Sequence, residues 1–187
     1  MFNELKQKHR DYILARNSII RFSDEAMRKS KQAIFSLHRD QLIQAKQELE
    51  QVEDKLLISQ SFFKHAQDLK YVGVYKAAME EYLEAKLFEQ ALKTGKIAFV
   101  KTKTKPGFDD YLGALCDLSG ELLRKIILSA TVGKRDEAKK FKELVSQIIE
   151  ELLQFDLTGY SRHKYDEAKN NLKKAEEIIY DLEIKRK

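Results

Sequence analysis

A single proline in 187 residues and apolar side chains recurring at every third or fourth position leave this chain little choice but helix. β-Branched alternation of the kind that builds strands is almost absent. The helical period is strongest over a first segment read from about Glu4 to about Leu57. Its stripe includes Ile13, Ile20, Ala26, Ala33, Leu37, Leu42, Leu49, Val52 and Leu56. A bend is expected near Phe22-Ser23-Asp24, where Ser23 followed by Asp24 and Glu25 would cap a restart. At 1.5 Å per residue a helix of that length outruns a small domain, which points to a coiled coil or an oligomer.

A short segment around Phe62 to Leu69 follows, then a second helix from about Val72 to Lys93, stopped at Gly95. "KTKTKPGFDD", Lys101 to Asp110, is the one clear loop, marked by Pro106-Gly107. Further helices are expected over about Asp109 to Thr131, Arg135 to Gln154 and Ser161 to Ile184. The architecture predicted is all-α, an antiparallel bundle of six to seven helices forming a single domain over residues 1–187. No internal repeat or low-complexity tract interrupts it.

Several function classes drop out. One cysteine, Cys116, excludes an internal disulfide or a cysteine-rich zinc site, and its leucine-rich surroundings suit a buried structural thiol. His9, His38, His65 and His163 have no serine or cysteine context that suggests a nucleophilic triad. No apolar run approaches the roughly 20 residues of a membrane span, and the start carries no secretory core, so a cytoplasmic protein is expected. The net charge of +5 is a weak pointer to a polyanionic partner.

The acids are more informative. On a wheel at about 100° per residue, Asp110, Asp117, Glu121 and Arg124 share one face of the helix after the loop. Gly113, Ala114 and Gly120 lie beside them, although glycine inside a helix costs roughly 1 kcal/mol relative to alanine. In "AAMEEYLEAKLF", Glu81 and Glu84 are one turn apart on a face shared with Ala77, Ala85 and Phe88, while Glu80 points away as a solvent charge. Carboxylates gathered in this way need a cation, and hard oxygen donors suit Mg²⁺ or Mn²⁺. Salt bridges to nearby Lys or Arg, with Arg124 a candidate, are the other account of the same acids. A di-iron site would need Glu-x-x-His motifs, which these acids lack. Arg28, Lys29, Lys31, His38 and Arg39 gather over three turns of the first helix, with Ile34, Phe35 and Leu37 available for packing. Such donors suit phosphate contacts, or merely a solvated face. "KTKTK" and the tail "IKRK" read as solubilising.

"SKQAIFSLHR", "EEYLEA", "DYLGALCDLSGELLRKIILSA" and "YDEAKNNLKKAEEIIYDLEIKR" follow one another as their counterparts do in the translin superfamily. The first three most resemble translin-associated factor X, and the last resembles translin itself. The resemblance covers nearly the whole chain. It implies an all-α fold assembling into a closed octamer and a Mg²⁺-dependent endoribonuclease whose acids correspond to Glu81, Glu84, Asp117 and Glu121. Arg28, Lys31, His38, Arg39 and Arg124 would then contact RNA, with Arg124 either on phosphate or on Asp117. Small residues around Asp117 would make room for metal and phosphate. The chain lacks factor X's long loop before "DYL" and joins a factor X-like site to a translin-like end. That combination points to a prokaryotic, archaeal homolog forming a homo-oligomer, an octamer by the resemblance; the expected substrate is single-stranded RNA, with structured RNA or single-stranded DNA as further ones. The competing expectation is a non-catalytic nucleic-acid-binding oligomer of translin type, and a third is a structural bundle whose acids only form salt bridges.

Overall fold

In a computed structural model, which describes residues 1–184, six α-helices and two short 3₁₀ turns account for the ordered elements, with no strand among the described residues. The helices are α1 (Phe2–His38), α2 (Leu42–Ser61), α3 (Gly73–Thr94), α4 (Phe108–Thr131), α5 (Arg135–Leu152) and α6 (Gly159–Ile184). The 3₁₀ turns, Phe62–His65 and Gln67–Tyr71, fill the segment between α2 and α3. Residues 185–187, most of the basic tail, lie outside the described residues. Two compact units emerge, Met1–Ala85 with Lys101–Pro106, and Lys86–Val100 with Gly107–Lys187. α3 contributes its first part to one unit and its last turns to the other.

The first unit corrects the expected long helix. The helix does not stop or restart at Phe22–Asp24, where Ser23 is a fully buried mid-helix residue. Instead the chain reverses at Arg39–Gln41. The N–H of Gln41 donates to Ser36 O at 3.0 Å and that of Asp40 to Leu37 O at 3.1 Å. This is a Schellman-type ending in which Asp40 takes the left-handed conformation, φ 58°. Aspartate tolerates that region better than other side chains, so a break forms with neither glycine nor proline to announce it. α1 and α2 then pack against each other. Most of the stripe read from sequence becomes core, with Ala26, Ala33, Leu37, Val52 and Leu56 fully buried, whereas Ile13 and Leu42 are exposed. Burying each leucine or valine contributes about 1.5–3 kcal/mol.

A strap closes this unit. Glu53 Oε1 on α2 accepts hydrogen bonds from Tyr82 Oη (2.9 Å), Thr102 Oγ1 (2.8 Å) and the N–H of Lys103 (2.7 Å). Burial acts to raise the Glu53 carboxyl, but these bonds and the Lys103 charge outweigh it and hold the group below the usual glutamate range. Part of the loop that sequence marks as solubilising is thereby tied down.

In the second unit α4, α5 and α6 pack on one another. Leu118, Leu122 and Ile126 of α4, Val145 of α5 and Ala168 and Ala175 of α6 form its fully buried centre. The α4–α5 turn repeats the Schellman geometry with glycine in place: Gly133 has φ 76°, and the N–H of Lys134 reaches Ser129 O at 2.8 Å. Asp110 sits at the start of α4, where Oδ2 accepts the N–H of Gly107 at 2.7 Å. It thus serves as an N-terminal cap rather than joining the acids further along. Cys116 is buried, as the leucine context implies.

Candidate metal and nucleic-acid site

On the first unit the acids come from α3. Glu81 and Glu84 are three residues apart, so their side chains lie one above the other on the same helix face. Glu84 is 7 % exposed, and Glu81 stands 3.9 Å from Lys31 Nζ on α1. Glu80 is not the solvent charge expected of it, since only 8 % of it is exposed. The reason is that the solvent face of α3 is narrow here, running through Ala77 and Glu81, while Ala78, Met79, Tyr82, Leu83 and Ala85 are buried. Tyr82, between the two acids in sequence, is the side chain held by Glu53. The strap therefore fixes the rotation of the helix that presents them.

Of the cations expected beside these acids, Arg28 and Lys31 are exposed on α1 and Arg39 is exposed at its C-terminal cap. They fall at i, i+3 and i+11, close to one line along the helix. His38 falls near Lys31 on the helix wheel but is buried, with 8 % exposed. Phe35, on the same line, does not pack inward. Its ring is 45 % exposed, with the Arg39 guanidinium carbon 4.1 Å from the ring centroid.

On the second unit Asp117 and Glu121 are one turn apart on α4, both partly accessible. The cation on Asp117 is Lys164 of α6, in direct contact through Oδ2. Arg124, the candidate read from the wheel, is exposed instead. The Lys164 ammonium also lies 5.1 Å from the Tyr160 ring centroid, and its side chain is largely buried. A partner 47 positions away leaves no local signal, so sequence missed it. The small residues beside Asp117 have a packing role too. Ser119 Oγ accepts from Asn171 Nδ2 at 3.0 Å, and a Cβ at Gly120 would stand 3.5 Å from the same nitrogen.

Each pair offers two carboxylates and no nitrogen or sulfur, a donor chemistry that fits a hard divalent cation. Among the described residues no three His, Cys, Asp or Glu side chains stand together as a ready metal cage. Mg²⁺ does not require one, because it is commonly held by one or two carboxylates with water and phosphate completing its shell. Each one-turn pair supplies that number.

An all-α chain with paired acids on two successive long helices and a cationic line on its first defines a narrow class. Residues 14–186 match the Translin family model, and the chain belongs to that family. It is 27 % identical to translin of Gallus gallus and 28 % identical to translin of Homo sapiens, each over 117 residues. Those matches take in 60 % of this chain and 51 % of theirs, so it spans about half the length of the curated relatives it matches. Among solved structures, apo-NeC3PO superposes with a TM-score of 0.87 at 23 % identity, covering 97 % of this chain and 96 % of that one. AfC3PO gives 0.88 at 21 %, covering 99 % and 98 %. AfC3PO in a duplex RNA complex gives the same score and identity over 99 % and 97 %. The shared fold extends over nearly all of the chain. No helix among the described residues is long and apolar enough to cross a membrane.

Proposed function

We propose that this chain is a metal-dependent endoribonuclease that cleaves single-stranded RNA as a homo-oligomer, an octamer by the family resemblance. The observation that carries the proposal is the treatment of the acids. Glu84 is kept nearly out of water on a helix buried almost all round, and Glu81 and Asp117 each have a lysine reaching them from another helix. A purely structural bundle gains little from burying carboxylates, since desolvation costs as much as the ion pairs return. The translin membership and a fold neighbour solved with duplex RNA support the nucleic-acid reading.

In this reading the Glu81–Glu84 pair and the Asp117–Glu121 pair each offer carboxylates to Mg²⁺, with Mn²⁺ as a substitute. When bound, the ion supplies a more acidic water and polarises the phosphodiester. The protein's own part is positioning and charge. The Glu53–Tyr82 bond fixes the α3 acids, and one of the glutamates accepts the proton of the attacking water. Lys31 and Lys164 neutralise the acids and are placed to turn to phosphate oxygens, and Arg28 and Arg39 add contacts along the backbone.

The test is cleavage of a labelled single-stranded RNA with Mg²⁺, with EDTA, and by Glu84→Gln and Asp117→Asn variants whose elution volume is checked in parallel. Metal-dependent cleavage that disappears in correctly assembled variants is the expected result. Binding without cleavage by the wild type in Mg²⁺ or Mn²⁺ would replace the proposal with the non-catalytic binding oligomer.

A further inference from the structure

Phe35 presents an unusual arrangement for an apolar residue. It is 45 % exposed near the end of a 37-residue helix, with a guanidinium laid against its ring at 4.1 Å. Single exposed hydrophobics are ordinary and by themselves mean nothing. This one lies on the line of Arg28, Lys31 and Arg39, all exposed, so it is an aromatic ring set within a row of cations. Ile34 and Leu37, its apolar neighbours, are buried, which leaves Phe35 outside the core they form.

From this geometry we infer that Phe35 and Arg39 form a stacking platform for one unpaired nucleobase, beside the acids of α3. The inference rests on the RNA-binding reading above and specifies how a single strand is preferred. An aromatic face accepts any base, and flanking cations hold the phosphates on either side. Lys31 is one turn before Phe35, about 6 Å along the axis, and reaches to 3.9 Å from Glu81. Consecutive phosphates of an extended strand are spaced on that same scale. A base stacked on Phe35 therefore brings its neighbouring phosphate to Lys31, next to the carboxylate pair. A base locked in a duplex cannot offer its face, so the platform discriminates against paired strands without reading sequence.

Because the chain contains no tryptophan, Phe35→Trp introduces a unique fluorophore at the platform. Binding is measured in EDTA, so that cleavage plays no part, using a short single-stranded RNA, its deoxy counterpart, an abasic strand of equal length and a blunt RNA duplex. The expected result is quenching of Phe35→Trp emission by both base-bearing single strands and not by the abasic one. Phe35→Ala should weaken single-strand binding roughly five- to tenfold, the lower end of base–aromatic stacking, and change duplex binding less than twofold. Unchanged affinity in Phe35→Ala, or tryptophan emission indifferent to a saturating strand, overturns the platform. So does a shifted elution volume for Phe35→Ala, which would assign the ring to contact with a second copy. A wild type that binds none of the strands would sink the RNA reading itself, a distinct result.

Discussion

Replacing Glu53 by glutamine tests the strap that orients α3. One carboxylate oxygen accepts three hydrogen bonds, from Tyr82, Thr102 and Lys103, at 2.9, 2.8 and 2.7 Å. Glutamine keeps an acceptor in place but loses the charge, and charge-assisted bonds are about twice as strong as neutral ones. With a neutral bond worth about 1 kcal/mol net, the sum for three approaches 3 kcal/mol. The side chain retains 14 % exposure, and some solvent screening brings the expected loss to about 2 kcal/mol. For a chain of this size that is a fall in Tm of roughly 4–8 °C. The pH dependence gives the sharper check. The folded carboxyl is held below its usual value, so its contribution is complete above the unfolded pKa, about 4.3, and disappears as pH falls through the lower folded value. Thermal unfolding of wild type and Glu53→Gln, followed by circular dichroism, should thus differ most at neutral pH and converge as pH falls through the lowered folded value of Glu53. A gap that stays constant from pH 7 to pH 3, or one under about 1 °C at pH 7, would refute the charge-based account of the strap.

Two other substitutions separate packing from function. Lys164→Met removes the cation on Asp117; a partly buried pair of this kind should cost about 1–2 kcal/mol in stability, while Mg²⁺, freed from competition, should bind several-fold more tightly by calorimetry. Weaker Mg²⁺ binding in that variant would argue against Asp117 as a ligand. Gly120→Ala adds a methyl at ordinary contact distance from Asn171 and should raise stability by about 0.5–1 kcal/mol in thermal melts. If cleavage falls while Tm rises, the glycine is retained for substrate; a lower Tm would contradict the observed clearance.

The helices were legible because burial follows period: Ala26, Ala33, Leu37, Leu49, Val52 and Leu56, read from spacing, are core in the first unit, while Ile13 and Leu42 at the same period stay exposed. What spacing does not carry is where a helix stops when no glycine or proline stops it. The turns after α1 and α4 are the same device, each closed by a hydrogen bond to a carbonyl five residues back. Gly133 announces one of them. Asp40 hides the other, since aspartate at φ 58° looks in sequence like one more polar residue on a long helix. The polar run Arg39-Asp40-Gln41 was the available sign, and it is too common on helix surfaces to be decisive.

The site divides along the same principle. Acids one turn apart are visible in sequence because helix geometry fixes their relation, whatever surrounds them. Their environment is not, because it depends on what the rest of the fold brings up. Glu80 reads as solvent-facing only if its own side of α3 meets solvent, whereas the accessible edge of the helix runs through Ala77 and Glu81 and leaves Glu80 buried. Arg124 reads as the partner of Asp117 only if partners are sought on the same helix, whereas Lys164 arrives from α6. Phe35 shows the converse. Its place in line with Arg28, Lys31 and Arg39 was readable from spacing alone, but an aromatic among cations counts as packing until its exposure is known. Local periodicity therefore locates the chemistry-bearing groups, and only tertiary packing shows which cation reaches Glu81 and Asp117 and leaves the Phe35 ring uncovered among its cations.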